Sequence, residues 1–164
     1  MNFTLPSVIL KICQIVALAA GLGCVGHFTK EFVDSNSEAY KRGVLGRQEF
    51  FLHTTCVGAV ISIVGLVLNF SGLINKKHNA VTMAAVQGVW TIQLLVTTCL
   101  ITVVFSSYNK DEGGESACEV WDDAGRKYEH TCGQLIGGIV SGFIAAILYG
   151  VDAIFTFKTS TEQS

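Results

Sequence analysis

The chain has 164 residues, half of them apolar, with one proline, 15% charged residues and a formal net charge of −2. Its 11 basic and 13 acidic residues would cover a water-soluble domain only thinly. They gather in short stretches between long, nearly uncharged intervals. This pattern excludes an ordinary soluble domain and points to lipid as the solvent.

A helix needs about 20 apolar residues to cross a hydrocarbon core of roughly 30 Å. The first interval that meets this runs from Leu5 to His27. Thr4 reads as its N-cap and Pro6 as a first-turn residue. A cleaved signal peptide is the weaker reading, because the interval is long and lacks a small-x-small cleavage site. Lys11 is expected to snorkel toward the nearer headgroups. Gln14 is polar within the span, and Ala17, Ala20, Gly21 and Cys24 recur at a spacing suited to helix packing. A charge-balanced outer loop over residues 28–49 follows, with Tyr40 among its charges.

The second span is Phe50 to Gly72, with Gly58, Ser62 and Gly65 along it. A tight connection, Leu73 to Asn79, carries Lys76, Lys77 and His78 and no acid. The third span, Ala80 to Phe105, is the longest at about 26 residues, several more than a crossing requires. On it Gln87, Trp90, Leu94 and Thr97 share a face at helical spacing. Gln14 and Gln87 fall in the same half of the membrane, so each is a candidate hydrogen-bond partner for the other.

The second outer loop, residues 106–132, holds seven carboxylates against Lys110, Arg126 and Lys127, together with Trp121 and Tyr128. Tyr40, Trp121 and Tyr128 are candidates for outer-loop recognition, with interfacial anchoring as the alternative. Four of the six cysteines, Cys13, Cys24, Cys56 and Cys99, lie within spans and read as small packed hydrophobes. Cys118 and Cys132 are the two in a hydrophilic loop. A disulfide between them would stabilise by about 3 kcal/mol and would place the loop in an oxidising compartment. The alternative is a pair of free cytosolic thiols. If the bond forms, the Lys-Lys-His connection and both termini are cytoplasmic. That agrees with the positive-inside rule, although lysine and arginine alone decide little here. The sequons at Asn2 and Asn69 would then lie on the cytoplasmic side and carry no glycan.

The fourth span is Gly133 to Phe157. Gly138, Gly142, Ala146 and Gly150 form a small-residue stripe, since helices in lipid associate through close backbone approach and polar contacts. The stripe reads as packing within the bundle, with a homodimer interface as the sharper alternative. Asp152 is the one acid inside a span, and an intramembrane carboxylate raises a functional question by default. It stands six residues before Lys158, about 9 Å along a helix, which puts it near the cytoplasmic headgroups. Lys11, Lys158 or a glutamine of a neighbouring helix is its expected partner. The expected fold is therefore an all-α membrane protein, a single four-transmembrane-helix bundle with cytoplasmic N- and C-termini.

His27, His53, His78 and His130 lack metal-ligand spacing, and no Cys-x-x-Cys, phosphate-binding loop or nucleophile elbow is present. The chain does not read as an enzyme; no cofactor, metal or nucleic-acid partner is expected. Loop one has none of the cysteine and tryptophan of claudins, and the Cys-Cys-Gly of tetraspanins is missing.

The four closely set spans, the short basic middle connection, the cysteine pair of the second outer loop and the stretch Gly142-Phe143-Ile144-Ala145-Ala146-Ile147-Leu148-Tyr149-Gly150-Val151-Asp152-Ala153-Ile154-Phe155 resemble the MARVEL family, which includes MAL and plasmolipin. The resemblance covers roughly Pro6 to Lys158. It implies a membrane-organising protein that acts in membrane-domain sorting or vesicle trafficking, at the plasma membrane or in trafficking vesicles. Its implied partners are membrane lipids and other membrane proteins, including copies of itself. A cell-junction component working through its outer loops is the alternative, and a small channel or carrier organised around Asp152 is the weaker one.

Overall fold

The structure is a computed structural model, and it describes residues 4–35, 45–72, 77–109, 118 and 132–162. Four helices account for nearly all of these: α1 (Thr4–Ser35), α2 (Gly46–Phe70), α3 (Lys77–Tyr108) and α4 (Cys132–Glu162). Each is long and apolar enough to cross a membrane. Three of them run past both ends of the apolar cores expected from the sequence, while α2 starts four residues earlier than expected and ends at Phe70, two residues short of Gly72. In α1 the helix continues through Lys30, Glu31 and Asp34, because a polar residue at a membrane surface costs a helix nothing that water cannot supply.

Local chemistry fixes the ends and tolerates the polar residues between them. The carbonyl of Leu45 accepts from the amides of Gln48 and Glu49 and opens α2, and Glu49 lies in the positive first turn. At the other end Ser71 bonds back to Val67 O, and Gly72 follows with φ of 66°. That left-handed conformation suits glycine and ends the helix. Threonines inside the spans return their hydroxyls to the preceding turn: Thr55 to Phe51 O, Thr91 to Gln87 O, Thr98 to Leu94 O. No threonine proton of that set is left in hydrocarbon.

The helices form a ring in chain order, α1 on α2, α2 on α3, α3 on α4, closed by α4 on α1. The outside is apolar: Val16, Val60, Val89, Ile92, Ile147 and Ile154 are all more than half exposed. An apolar exterior of this extent exceeds what a soluble monomer shows and matches a lipid surround.

Inside, two regions differ. Where α1 ends and α2 begins, Val25, Phe28, Phe32, Leu45, Phe51, Ile101 and Leu135 form an apolar cluster. Phe28 stacks on Phe32 with centroids 6.0 Å apart, and both lie near the ring of Tyr108. Tyr108 is hydrogen-bonded to Gln48. At this same end Cys118 and Cys132 are joined in a disulfide, Cα to Cα 5.5 Å. The middle of the bundle is filled by Leu18, Leu94, Ala145, Ala146 and Tyr149.

The small-residue stripe of α4 faces neighbours within this chain. A Cβ on Gly138 would run into the Val25 side chain of α1, and one on Gly142 would meet Thr98 of α3 and Phe51 of α2. Ala146 is buried. Gly150 is looser, with Thr91 Cγ2 3.5 Å from where a Cβ would stand.

Three of the four cysteines inside the spans differ from expectation. Cys13, Cys56 and Cys99 are exposed on the outer faces and Cys24 is half-buried. The helical positions of Cys13, Cys56 and Cys99 fall on the lipid side, whereas Cys24 packs between α1 and α4 as expected, its Sγ 3.1 Å from where a Cβ on Gly137 would stand. Tyr40, Trp121 and Tyr128 lie outside the described residues, as does Asn2; Asn69 is buried.

Candidate functional site

The opposite end of the bundle holds a buried polar cluster to which all four helices contribute. Its centre is Asp152 of α4, fully buried. Three donors converge on its Oδ2: Lys11 Nζ at 2.7 Å, Gln87 Nε2 at 2.9 Å and Gln14 Nε2 at 3.0 Å. Gln14 Nε2 also reaches Leu148 O at 3.3 Å. The helix period places these groups. Lys11 and Gln14 are three residues apart on α1, and Tyr149 and Asp152 are three apart on α4, so each pair shares one face.

From Gln14 the network extends toward the bundle centre. Ser62 Oγ of α2 donates to Gln14 Oε1 at 3.0 Å and lies 2.5 Å from the Tyr149 hydroxyl. That hydroxyl also reaches Gly58 O at 2.5 Å. Each hydroxyl has one proton. With Ser62 donating to Gln14, the Tyr149 proton is shared between Ser62 Oγ and Gly58 O. Gly58 also leaves room for Trp90, whose indole nitrogen would stand 2.9 Å from a Cβ there and donates to Thr54 O.

Electrostatically the site is neutral overall, one ammonium against one carboxylate. Taking either charge alone into hydrocarbon would be costly, and removing one partner of a buried pair is strongly destabilising. The other ion pair among the described residues, Lys30 with Glu31 at 3.9 Å, has an exposed lysine and contributes little.

The placement of Lys11 corrects the sequence reading. The expected snorkelling toward the headgroups gives way to a side chain turned inward and 1% exposed. Its end lies against Gly65 of α2, where a Cβ would stand 2.7 Å from Lys11 Cε. The carboxylate explains the difference, since a counter-ion one helix away outweighs a long reach to the interface. Gln14 and Gln87 both bond Asp152, and no bond between the two is among those found.

Ser62 and Tyr149 entered the sequence reading as packing and motif residues, and the structure makes them members of the polar network. For Tyr149 the signal was available in its i, i+3 spacing to Asp152; Ser62, on another helix, leaves no such trace. Gln48 went unnoticed because it precedes the apolar core of α2. Gln134 pairs with His27 at 3.2 Å, near the disulfide end and away from this cluster.

Chemically the cluster is a hub of hydrogen bonds around an ion pair. Among the described residues no group of three His, Cys, Asp or Glu side chains is arranged to hold a metal ion.

The MARVEL membrane-associating domain matches residues 2–155. No curated protein and no solved structure matches the chain.

Proposed function

The chain belongs to the MARVEL family of membrane-associating proteins, and on that premise we propose that it organises membranes from within the bilayer, sorting with particular membrane domains or trafficking vesicles and catalysing no reaction. The observation that carries this reading is span length. The membrane-spanning helices are 29, 25, 31 and 28 residues long, and the third, His78–Tyr108, carries no Asp, Glu, Lys or Arg. At 1.5 Å per residue that third helix is about 46 Å long, against a hydrocarbon core of roughly 30 Å. Spans of this length are best accommodated by tilting or by the thicker, sterol-rich membranes, and mismatch of this kind sorts proteins between membranes. The polar side chains of the cluster are turned inward, so lipid meets an almost wholly apolar wall.

In this reading both termini face the cytoplasm. The support is the Cys118–Cys132 disulfide, which persists where the surroundings are oxidising. The same disulfide favours a second reading, a junction component whose outer loops meet partners on the same or a neighbouring cell. The channel reading is the least supported, because a fixed lysine already occupies the carboxylate that a permeating cation would need.

The test is partitioning. The purified, fluorescently labelled protein is placed in giant vesicles with coexisting thick, sterol-rich and thin, disordered phases. Enrichment in the thick phase is expected, together with co-fractionation of the endogenous protein with a membrane subdomain. Even distribution between the phases and uniform spread through every cell membrane would end the sorting reading. Confinement to cell contacts, lost on replacing Cys118, would favour the junction reading instead.

A further inference from the structure

Three polar atoms at the centre of the cluster are buried and have no hydrogen-bond partner among the described residues: Asp152 Oδ1, Gln87 Oε1 and Lys11 Nζ, the last beyond its ion pair with Asp152 Oδ2. They are neighbours. Oδ1 is bonded through one carbon to the oxygen that receives Lys11 and Gln87, and Gln87 Oε1 belongs to the amide whose nitrogen lies 2.9 Å from that oxygen. All three donors of the cluster crowd onto Oδ2, and the other face of the carboxylate has none. An unpaired polar atom is expensive in a water-free interior.

The three orphans divide in a particular way. Two are acceptors, the carboxylate oxygen and the amide oxygen, and one is a cation with N–H bonds to spare. A ligand that satisfies them must donate twice and accept once, must be small, and must be neutral, because the ion pair is already balanced. Water has two protons and an accepting oxygen. We infer that the Lys11–Asp152–Gln87 triangle is the binding site of one internal water molecule, which donates to Asp152 Oδ1 and Gln87 Oε1 and accepts from Lys11. Three partners lie within the usual range for a buried water. A metal cation fails on charge beside Lys11, and an anion fails beside Asp152.

Met83 is a built-in reporter. Its Cε and the Cε of Lys11 press on the same glycine, 2.6 and 2.7 Å from where a Cβ on Gly65 would stand, and Met83 itself is buried. Hydroxyl radicals generated by a brief X-ray pulse arise from water and oxidise the side chains beside it, methionine sulfur above all. The full chain in lipid nanodiscs is therefore exposed to such pulses, with a methionine-containing reference peptide in the same buffer. Met83 is expected to oxidise at doses that label the peptide. After rapid mixing into heavy-oxygen water, the oxygen on Met83 is expected to remain light while that on the peptide becomes heavy, since a held water exchanges slowly. An unoxidised Met83, or one that takes up heavy oxygen as fast as the peptide, overturns the inference. In Gln87→Leu, with helicity confirmed by circular dichroism, Met83 oxidation falls several-fold if the water is held there; unchanged oxidation overturns it. Should that variant not fold, the measurement on the native chain decides alone.

Discussion

The two ends of the bundle are held by different physics. At the end where α1 finishes, aromatic and aliphatic side chains meet under a disulfide. At the end where α1 starts, an ammonium, a carboxylate, two amides and two hydroxyls meet with no disulfide. In water the aromatic end would dominate, through apolar area removed from solvent. In lipid that advantage largely disappears, because acyl chains are as apolar as phenylalanine, and what remains is packing. The polar end gains instead, since its alternative is unpaired groups in hydrocarbon. The comparison predicts that the cluster around Asp152 contributes more to the specificity of helix arrangement than the aromatic end does.

The largest expected effect tests that claim directly. Asp152→Leu strands the Lys11 ammonium and should cost about 3–5 kcal/mol, measured by reversible unfolding of the purified protein with rising detergent denaturant. Adding Lys11→Met to the same chain should restore most of the loss, since an apolar pair replaces an ionic one; no recovery would mean that Asp152 acts other than as the partner of Lys11. Next is the opposite end, where Cys132→Ser opens the disulfide. A loop of 14 positions should be worth about 3 kcal/mol by the chain-entropy estimate, lost equally in the native chain on adding reductant. Phe28→Ala comes third. A soluble core would lose about 3–5 kcal/mol, but here the transfer part is missing and the cavity part remains, so about 2 kcal/mol is expected in the same titration. A loss as large as that of Asp152→Leu would reverse the comparison between the two ends. The smallest is Ser62→Ala, about 1 kcal/mol, from two hydrogen bonds between membrane helices at an average of about 0.6 kcal/mol each.

Much of the fold was legible because lipid imposes a length rule. Four nearly uncharged intervals of the right length cannot be much else, and their number and order match the four helices. Their ends were not legible, since Lys30 and Glu31 break the apolar run without breaking the helix. The glycine stripe of α4 was visible, but its partners, Val25, Thr98 and Phe51, come from three other helices and leave no trace in local spacing. Asp152 stood out as the one acid in a span, and Lys11 was among its named candidate partners. The direction of Lys11 was beyond reach, because a lysine near a helix end snorkels by default and only a counter-ion on α4 turns it inward. Cys13, Cys56 and Cys99 were misjudged for a related reason: a thiol tolerates lipid as readily as a core, so hydrophobicity alone does not say which it meets.

The ion pair also has a history within each molecule. Lys11 belongs to α1 and Asp152 to α4, so the lysine is synthesised two whole helices ahead of its counter-ion and must wait for it in the bilayer. Near the start of α1 it can do so with its ammonium among the headgroups, then swing inward once α4 arrives. A nascent chain halted before that point keeps an unmatched positive charge at the membrane surface, a mark by which an unfinished molecule differs from a finished one.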